Sequence, residues 1–434
     1  MEFPSRVVTL VVSDSSGSVL GALPPFVVDT PWWMDLVPVV REAEARFRLQ
    51  VTVLRLLSTE RSEPHGGAVT YLVELDVGVV PSQKLDPWRG TLHDDVNRVS
   101  YAHIGGPATD LDWAKEVLGS QGQEIVGRPE QCRTWNLSSI WKIQTRCDSV
   151  WLKVVPAFFA HEGLVIEEIG AALKADGSRP TLVPQLLAHD GPRILLVDIP
   201  GGDRHEAQLS ERMQMIDDLV DLQHTLHRQS TIARLLANGV PDWRGPLLTS
   251  ALVELIERSN TVVGPGDHDL LTVFARSLPE RFGEVDRCGL PDSLVHGDFH
   301  AGNIVGGNIV GGIIVGGNVG NDDRTSVGGP GSRTIIDWGD SGIGHPLLDQ
   351  PAFLSSSPTD DRRALQDHWS NAWRRAVPGS QPERAAELLA PVAAARQALV
   401  YQTFLDAIEN NERRYHQADV PRWLHRTAET VRNE

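Results

Sequence analysis

The stretch VHGDFHAGN at residues 295–303, followed downstream by IIDWG at residues 335–339, is the part of the sequence that most clearly indicates the fold. It places Asp298 and Asn303 five residues apart on one loop, and an apolar strand ends on Asp337. Phosphoryl transfer from ATP needs such groups, because one carboxylate orients the acceptor hydroxyl and takes its proton while an amide oxygen and a second carboxylate hold magnesium against the phosphates. The alternative is that Asp298 and Asn303 form turns and Asp337 caps a strand.

The composition describes a globular, acidic chain. Its 434 residues are enough for two or three domains, and 41% hydrophobic with 22% charged residues is typical of folded proteins. Forty Lys and Arg against 57 Asp and Glu give a net charge of −17, which disfavours nucleic acid and anionic membranes as partners. A cationic small molecule suits this charge better, although surface acidity is more often a solubility feature.

Cysteine usage and the N-terminus indicate the compartment. The 3 cysteines are too few and too scattered for a disulfide framework or a Cys-rich zinc site. The apolar run at residues 7–12 is shorter than a signal sequence or a membrane span. We therefore expect a cytoplasmic protein.

The chain divides into three regions by pattern. Residues 1–105 alternate short apolar runs with Ser, Gly and Pro, which predicts a small α+β cap domain that ends in a linker over 81–106. Residues 106–198 predict a β-rich lobe, and residues 199–434 a helical lobe. The expected strands are 6–12, 17–23, 50–57, 68–76, 139–145, 149–155 and 193–199, and the expected helices are 31–49, 160–173, 209–227 and 268–285, with 360–434 almost wholly helical.

A repeat interrupts the helical lobe. Residues 303–317 consist of the units NIVGG, NIVGG and IIVGG. A strand has a period of two, so a repeat of five turns successive apolar pairs to opposite faces and cannot keep one side buried. We expect a flexible excursion that is not a phosphate-binding loop, because no GK[ST] ends it.

The run His296-Gly297-Asp298 with Asn303, followed by residues 336–339, resembles the aminoglycoside phosphotransferase-like kinases over roughly residues 130–434. This resemblance implies an α+β, bilobal protein-kinase-like fold behind the N-terminal cap, and ATP and Mg²⁺ as cofactors. It also implies that Asp298 is the catalytic base, that Asn303 and Asp337 bind magnesium, and that His296 braces the loop.

Lys153 lies inside an apolar strand, where an unpaired ammonium group is costly, so it needs an anionic partner. The kinase resemblance supplies the α- and β-phosphates of ATP, with a helix glutamate that holds the ammonium in place. Glu162 is the candidate, because isoleucine and leucine residues continue its helix face, and Glu167 and Glu168 are competitors. Alternatively, Lys153 extends from an edge strand into solvent.

The resemblance also implies positions for the rest of the nucleotide. The turn that covers the phosphates falls at residues 136–139, where Ser138 and Ser139 replace the usual glycines, and a plain hairpin turn is an equally good interpretation. Adenine would pair with the backbone near Val197 and Ile199, since Pro200 has no N–H to donate.

The acceptor is expected to bind in the helical lobe. Gln402, Asp406 and Glu409 have offsets of four and seven, which places them on one stripe of a helix and suits a polyhydroxylated, cationic ligand. The alternative is an ordinary solvated face on which Glu409 pairs with Arg413.

The cap, residues 133–139 and residues 404–409 further resemble actinobacterial sugar kinases related to maltokinases, and most closely the glucosamine kinases. This implies transfer of the γ-phosphoryl group of ATP to glucosamine to give glucosamine 6-phosphate, by a protein that we expect to be a monomer. The alternatives are an aminoglycoside O-phosphotransferase and a nucleotide-binding pseudokinase. The intact Lys153, Asp298, Asn303 and Asp337 disfavour the pseudokinase.

Overall fold

The structure is a computed structural model that describes residues 3–177, 182–306, 309–310, 313–314 and 333–434. The chain divides into two compact units. Unit 1 comprises Met1–Ala160, Leu187–Asp198 and Thr403–Ala418, and unit 2 comprises His161–Leu186, Ile199–Gln402 and Asp419–Glu434.

The N-terminal part of unit 1 is a mixed five-stranded sheet with one helix. Its elements are β1 (Arg6–Ser13), β2 (Val19–Ala22), β3 (Phe26–Val28), α1 (Val37–Phe47), β4 (Val51–Thr59) and β5 (Gly67–Leu75). The strand order is β2-β1-β5-β4, with β3 also on β1, and only β1 and β5 run parallel. Alternate residues of β1 are buried with Val39 of α1 in one core. The four predicted strands of this region are confirmed, whereas β3 was not predicted.

A second five-stranded sheet completes unit 1. Its elements are α2 (Gly106–Ser120), β6 (Glu130–Trp135), β7 (Ser138–Gln144), β8 (Ser149–Val154), β9 (Leu186–Asp190) and β10 (Arg193–Val197). The order β6-β7-β8-β10-β9 makes β8 an internal strand. The helix α2, which was not predicted, buries Ala114 and Leu118 against residues of this sheet. Between β5 and α2, the predicted linker carries the short 3-10 turn Ser100–Ala102.

Unit 2 is mainly helical, as the sequence predicted. Its helices are α3 (Glu162–Asp176), α4 (Leu209–Leu226), α5 (Gln229–Ala237), α6 (Gly245–Arg258), α7 (Pro265–Arg287), α8 (Gln350–Ser355), α9 (Arg362–Ala376), α10 (Pro382–Ala407) and α11 (Asp419–Arg432). Its short strands are β11 (Gly202–Asp203), β12 (Ser293–Val295), β13 (Ile304–Gly306), β14 (Ile309–Val310), β15 (Ile313–Ile314), β16 (Thr334–Ile335) and β17 (Gly342–Gly344).

The repeat and the segment Thr403–Ala418 were both expected in the helical lobe. In the repeat, the short strands β14 and β15 pair antiparallel, and the expected flexible excursion otherwise lies outside the described residues. The segment Thr403–Ala418, which we expected in the helical lobe, belongs to unit 1. The three predicted domain boundaries stay predictions. No helix in the described part of the chain is both long enough and apolar enough to cross a membrane.

Candidate active site

The two halves of the motif lie side by side in unit 2. The loop that carries Asp298 follows β12, and a 3-10 turn at Ala301–Asn303 leads into β13. The strand β13 pairs antiparallel with β16, and the backbone N–H of Ile336 donates a hydrogen bond to the carbonyl of Asn303 at 2.9 Å. This pairing holds the residue that precedes Asp337 against Asn303, so segments separated by the repeat meet at one site.

His296 braces the loop from within the core. Its side chain is fully buried. The Nε2 atom lies 3.0 Å from the carbonyl oxygen of Ile336, and Nδ1 accepts a hydrogen bond from the backbone N–H of Asp298 at 3.2 Å. Burial lowers the pKa of His296, which keeps the ring neutral with its proton on Nε2. The bracing role that the resemblance implied agrees with these contacts.

Asp349 ends the 3-10 turn Pro346–Asp349 ahead of α8 and anchors the same loop. The sequence analysis missed this residue. Its carboxylate is fully buried and accepts hydrogen bonds from the backbone N–H groups of His296 (2.9 Å) and Gly297 (2.7 Å). A third bond comes from Gln223 Nε2 at 2.9 Å. Three donors around one carboxylate fix the loop immediately ahead of Asp298.

Arg396 of α10 holds the other side of Gly297. Its guanidinium group is buried, donates to the carbonyl of Gly297 at 2.7 Å and lies 4.2 Å from the ring centre of Trp243. The backbone of Gly297 has a φ of 90°, and a Cβ atom there would come within 1.8 Å of the carbonyl oxygen of Asp340. Only glycine therefore fits between His296 and Asp298.

Asp298 carries the partly exposed carboxylate of this arrangement. Asn303 Nδ2 donates to the backbone carbonyl of Asp298 at 2.9 Å and to its Oδ2 at 3.3 Å. His300 Nε2 lies 3.5 Å from the same Oδ2, while 45% of the Asp298 side chain is exposed. Among the described residues, Oδ1 accepts no hydrogen bond, so this oxygen can take the hydrogen of an acceptor hydroxyl.

His300 tunes the charge of Asp298, and the sequence analysis gave it no role. Its Nδ1 accepts from the N–H of Gly302 at 3.0 Å, which leaves Nε2 as the donor towards Asp298. Burial alone would raise the pKa of Asp298, but the hydrogen bond and charge of His300 hold it below the usual value. Burial opposes protonation of His300, yet Asp298 outweighs this and raises the pKa of the imidazole. The pair is therefore a carboxylate beside a ring that gains a proton easily.

The proposed magnesium ligands offer suitable oxygen donors. Because Asn303 turns its Nδ2 towards Asp298, its amide oxygen points away and accepts no hydrogen bond from any described residue. Asp337 has a φ of 65°, a left-handed conformation that is uncommon outside glycine and often marks functional sites. The described residues contain no cluster of three His, Cys, Asp or Glu side chains that could hold a metal. Magnesium in kinases needs fewer, since one or two side chains and the substrate phosphates suffice. The residues therefore fit the ion.

Lys153 lies on the internal strand β8 of unit 1, paired with Ile140 on one side and Ile194 on the other. The alternative in which it extends from an edge strand is therefore wrong. Of the glutamates proposed as its partner, Glu162 is 1% exposed at the start of α3, Glu168 pairs with Arg234 and Glu167 is exposed. Burial favours Glu162 among the three, and its pairing with Lys153 stays a prediction.

The proposed phosphate-covering turn is a tight hairpin. Trp135 and Ser138 face each other across a two-residue turn between β6 and β7. The hydroxyl of Ser138 accepts from Trp135 Nε1 at 3.2 Å, and that of Ser139 accepts from Trp141 Nε1 at 3.0 Å. Both serines are buried, so a contact with phosphate at this turn would come from the backbone. Val197 ends β10 and Ile199 follows two residues later, and their role at adenine stays a prediction.

The predicted acceptor stripe is only partly right. Gln402 and Asp406 lie on α10, half-buried and exposed respectively, but the helix ends at Ala407 before Glu409. Glu409 does not pair with Arg413. Its carboxylate is 6% exposed and accepts from Arg98 Nε at 3.2 Å. Residues at helical spacing share one face only as long as the helix continues, and α10 ends before Glu409.

Part of the chain matches a known protein family. Residues 145–314 match the profile "APH: Phosphotransferase enzyme family", a range that includes Lys153, Asp298 and Asn303. A phosphotransferase family profile therefore matches this part of the chain. The expected protein-kinase-like fold is confirmed with it. The nearer resemblance to glucosamine kinases stays a prediction, and no curated protein sequence matches the chain.

The solved structures that are similar to this chain are named for varied small-molecule substrates. A macrolide 2′-phosphotransferase from Brachybacterium faecium is 14% identical, with 72% of this chain and 98% of that chain covered and a TM-score of 0.44. An ethanolamine kinase from Plasmodium vivax is 11% identical (74% and 88% covered, TM-score 0.49). A choline kinase from Streptococcus pneumoniae is 13% identical (75% and 99% covered, TM-score 0.47). Similarity of this degree does not assign an acceptor.

Proposed function

We propose that the protein transfers the γ-phosphoryl group of ATP to a hydroxyl of an amino sugar, with glucosamine as the acceptor and glucosamine 6-phosphate as the product. The observation that carries this proposal is the fixed, half-exposed carboxylate of Asp298, which Asn303 and His300 hold by one oxygen while the other stays open. A general base needs this combination of fixed position and free lone pair.

The residues divide the work of the reaction. Asp298 orients the acceptor hydroxyl and takes its proton as the oxygen attacks phosphorus. Asp349, Arg396 and His296 keep the loop still, so that this orientation is prepared before substrate arrives. Asn303 and Asp337 would hold Mg²⁺, which when bound neutralises charge on the phosphates. Lys153 would contact the α- and β-phosphates from β8.

The choice of an amino sugar rests on the resemblance in the sequence, on the acidity of the chain and on Asp406. An exposed carboxylate near the end of α10 can accept a charge-assisted hydrogen bond from a protonated amine. We propose Gln402 and Asp406 as acceptor contacts. Glu409 is dropped from this role, because Arg98 already engages its buried carboxylate.

A coupled assay of ADP release tests the proposal with glucosamine, glucose and a panel of aminoglycosides. We expect glucosamine to exceed glucose in kcat/KM by about tenfold or more, since a hydrogen bond to a charged group contributes about 1.5–3 kcal/mol. Asp406→Asn should reduce this preference, and Glu409→Gln serves as the matched comparison. Faster turnover of an aminoglycoside would replace the acceptor, and no ADP release with any hydroxyl compound would favour the pseudokinase.

A further inference from the structure

A cavity lies wholly within unit 1. It has a volume of about 330 Å³ and opens to solvent among residues of β4, β5 and the segment 88–98. This volume is at the lower end of the range for small-molecule sites, which begins at about 300 Å³. The lining residues used below are Arg55, Ser58, Thr70, Trp88, Thr91 and Arg98.

Two buried arginines give this cavity its charge. The side chains of Arg55 and Arg98 are 6% and 7% exposed, which is rare for arginine and unexpected in a chain of net charge −17. One buried carboxylate serves both: Glu409 lies 3.2 Å from Arg98 Nε and 4.0 Å from Arg55 Nε. Asp94 lies 3.6 Å from Arg98 but is fully exposed, so solvent screens it. The two buried guanidinium groups therefore share one buried carboxylate.

The pKa shift of Arg55 shows that its positive charge is disfavoured at this place, as expected where an anion could bind. Burial, and next the charge of Arg98, lower the pKa of Arg55. Glu412 contributes less negative charge here, because burial and then the charge of Glu409 raise its pKa to about 8 and favour its neutral form. A bound anion would relieve the repulsion between the two guanidinium groups.

The hydrogen-bonding groups of the wall are the guanidinium nitrogens of Arg55 and Arg98 and several hydroxyl groups. Arg98 uses Nε and Nη2 on Glu409 and on the carbonyl of His93, and Arg55 uses Nη1 on the carbonyl of Ala102. Among the described residues, none hydrogen-bonds Arg55 Nη2, so Arg55 keeps one terminal nitrogen for a ligand, whereas Arg98 Nη1 lies 3.6 Å from the exposed carboxylate of Asp94. The hydroxyl groups of Ser58, Thr70 and Thr91 and the indole ring of Trp88 also line the cavity.

We propose that this cavity binds a small sugar phosphate, with Arg55 and Arg98 on the phosphate and with Trp88 and the hydroxyl-bearing residues on the sugar. A guanidinium group matches the geometry of a phosphate better than any other side chain does, and an aromatic ring packs on the apolar face of a sugar. The site is distinct from Asp298 and its partners, which belong to unit 2. It goes beyond the proposed phosphoryl transfer and does not depend on it.

Calorimetry of the full chain tests the site with glucosamine 6-phosphate, inorganic phosphate, glucuronate and free glucosamine. We expect saturable binding of the sugar phosphate and weaker binding of the other three. Hydrogen exchange should show that the sugar phosphate protects peptides covering residues 55–58 and 88–98. This readout separates the cavity from binding of the same compound as a reaction product, and needs no turnover.

Two variants and a control make the assignment specific. Arg98→Gln removes one guanidinium group from the cavity. Ser58→Glu places a carboxylate at an exposed position of the wall, and it tests the proposal even if Arg98→Gln does not fold. Both should weaken binding by about tenfold or more and remove the protection. Arg41→Gln, on an exposed arginine of the same unit, should bind as the wild type does. Absent protection, unchanged affinity in both variants, or equal affinity for phosphate or glucuronate would overturn the proposal.

Discussion

Replacing Asp349 by Asn tests whether the loop ahead of Asp298 depends on a buried carboxylate. The carboxylate accepts hydrogen bonds at 2.9 Å from the N–H of His296, at 2.7 Å from that of Gly297 and at 2.9 Å from Gln223 Nε2. An asparagine has the same shape but only one acceptor oxygen. Its best orientation leaves the oxygen on His296 and Gln223 and turns the amide nitrogen towards the N–H of Gly297.

The cost follows from the groups left without partners. One backbone N–H and one amide N–H lose their acceptors in a fully buried position. Each such group costs about 1–3 kcal/mol, so the free energy of unfolding of Asp349→Asn should fall by roughly 2–6 kcal/mol. The turnover number should fall by about a hundredfold, because a shift of about 1 Å in the position of Asp298 has an effect of this size.

Denaturant unfolding and steady-state ADP release measure the two effects on the same preparations. Asp360→Asn is the matched control, since Asp360 is an exposed aspartate of unit 2. It should change the free energy of unfolding by less than about 0.5 kcal/mol and leave turnover unchanged. If Asp349→Asn behaved as this control does, the loop would not depend on the carboxylate and the account of the site would be refuted.

Four further changes probe the site and the core of unit 1. Asp298→Asn should keep the melting temperature but lower turnover by about 10²–10⁴-fold, as loss of a general base does, and wild-type turnover would remove the mechanism. Asp337→Ala should abolish measurable Mg·ATP binding in calorimetry, whereas unchanged affinity would make the magnesium assignment wrong. His300→Gln should raise the pKa of Asp298, because the imidazole no longer holds it down, so the acidic limb of the kcat profile should move to higher pH; an unmoved limb contradicts this coupling. Burial raises the pKa of Glu412 to about 8, so Glu412 stabilises the fold below its unfolded pKa and loses this effect as pH rises towards 8. The melting temperature of Glu412→Gln minus that of the wild type should therefore be larger at pH 8 than at pH 5. An equal difference at both pH values would argue against this effect of Glu412.

The sequence alone predicted that Asp298 and Asn303 lie together because their spacing is local. Asp298 and Asn303 are separated by five residues of one loop, and the structure joins them by a direct hydrogen bond. Most strands and the C-terminal helices were also predictable, since alternation and helical spacing record which face of an element is buried. The protein-kinase-like fold was implied by the family resemblance that the motif carries.

The tertiary structure decided what depends on the path of the chain between distant residues. Asp349 reaches the N–H of Gly297 across 52 positions, and Arg98 reaches Glu409 across 311, so no local pattern could reveal either contact. The end of α10 at Ala407 removed Glu409 from the predicted stripe, and the fold of unit 1 placed it beside the buried side chains of Arg55 and Arg98. A periodic pattern fixes the face of a single element, whereas the partner of a buried charge is fixed only when separate elements pack together.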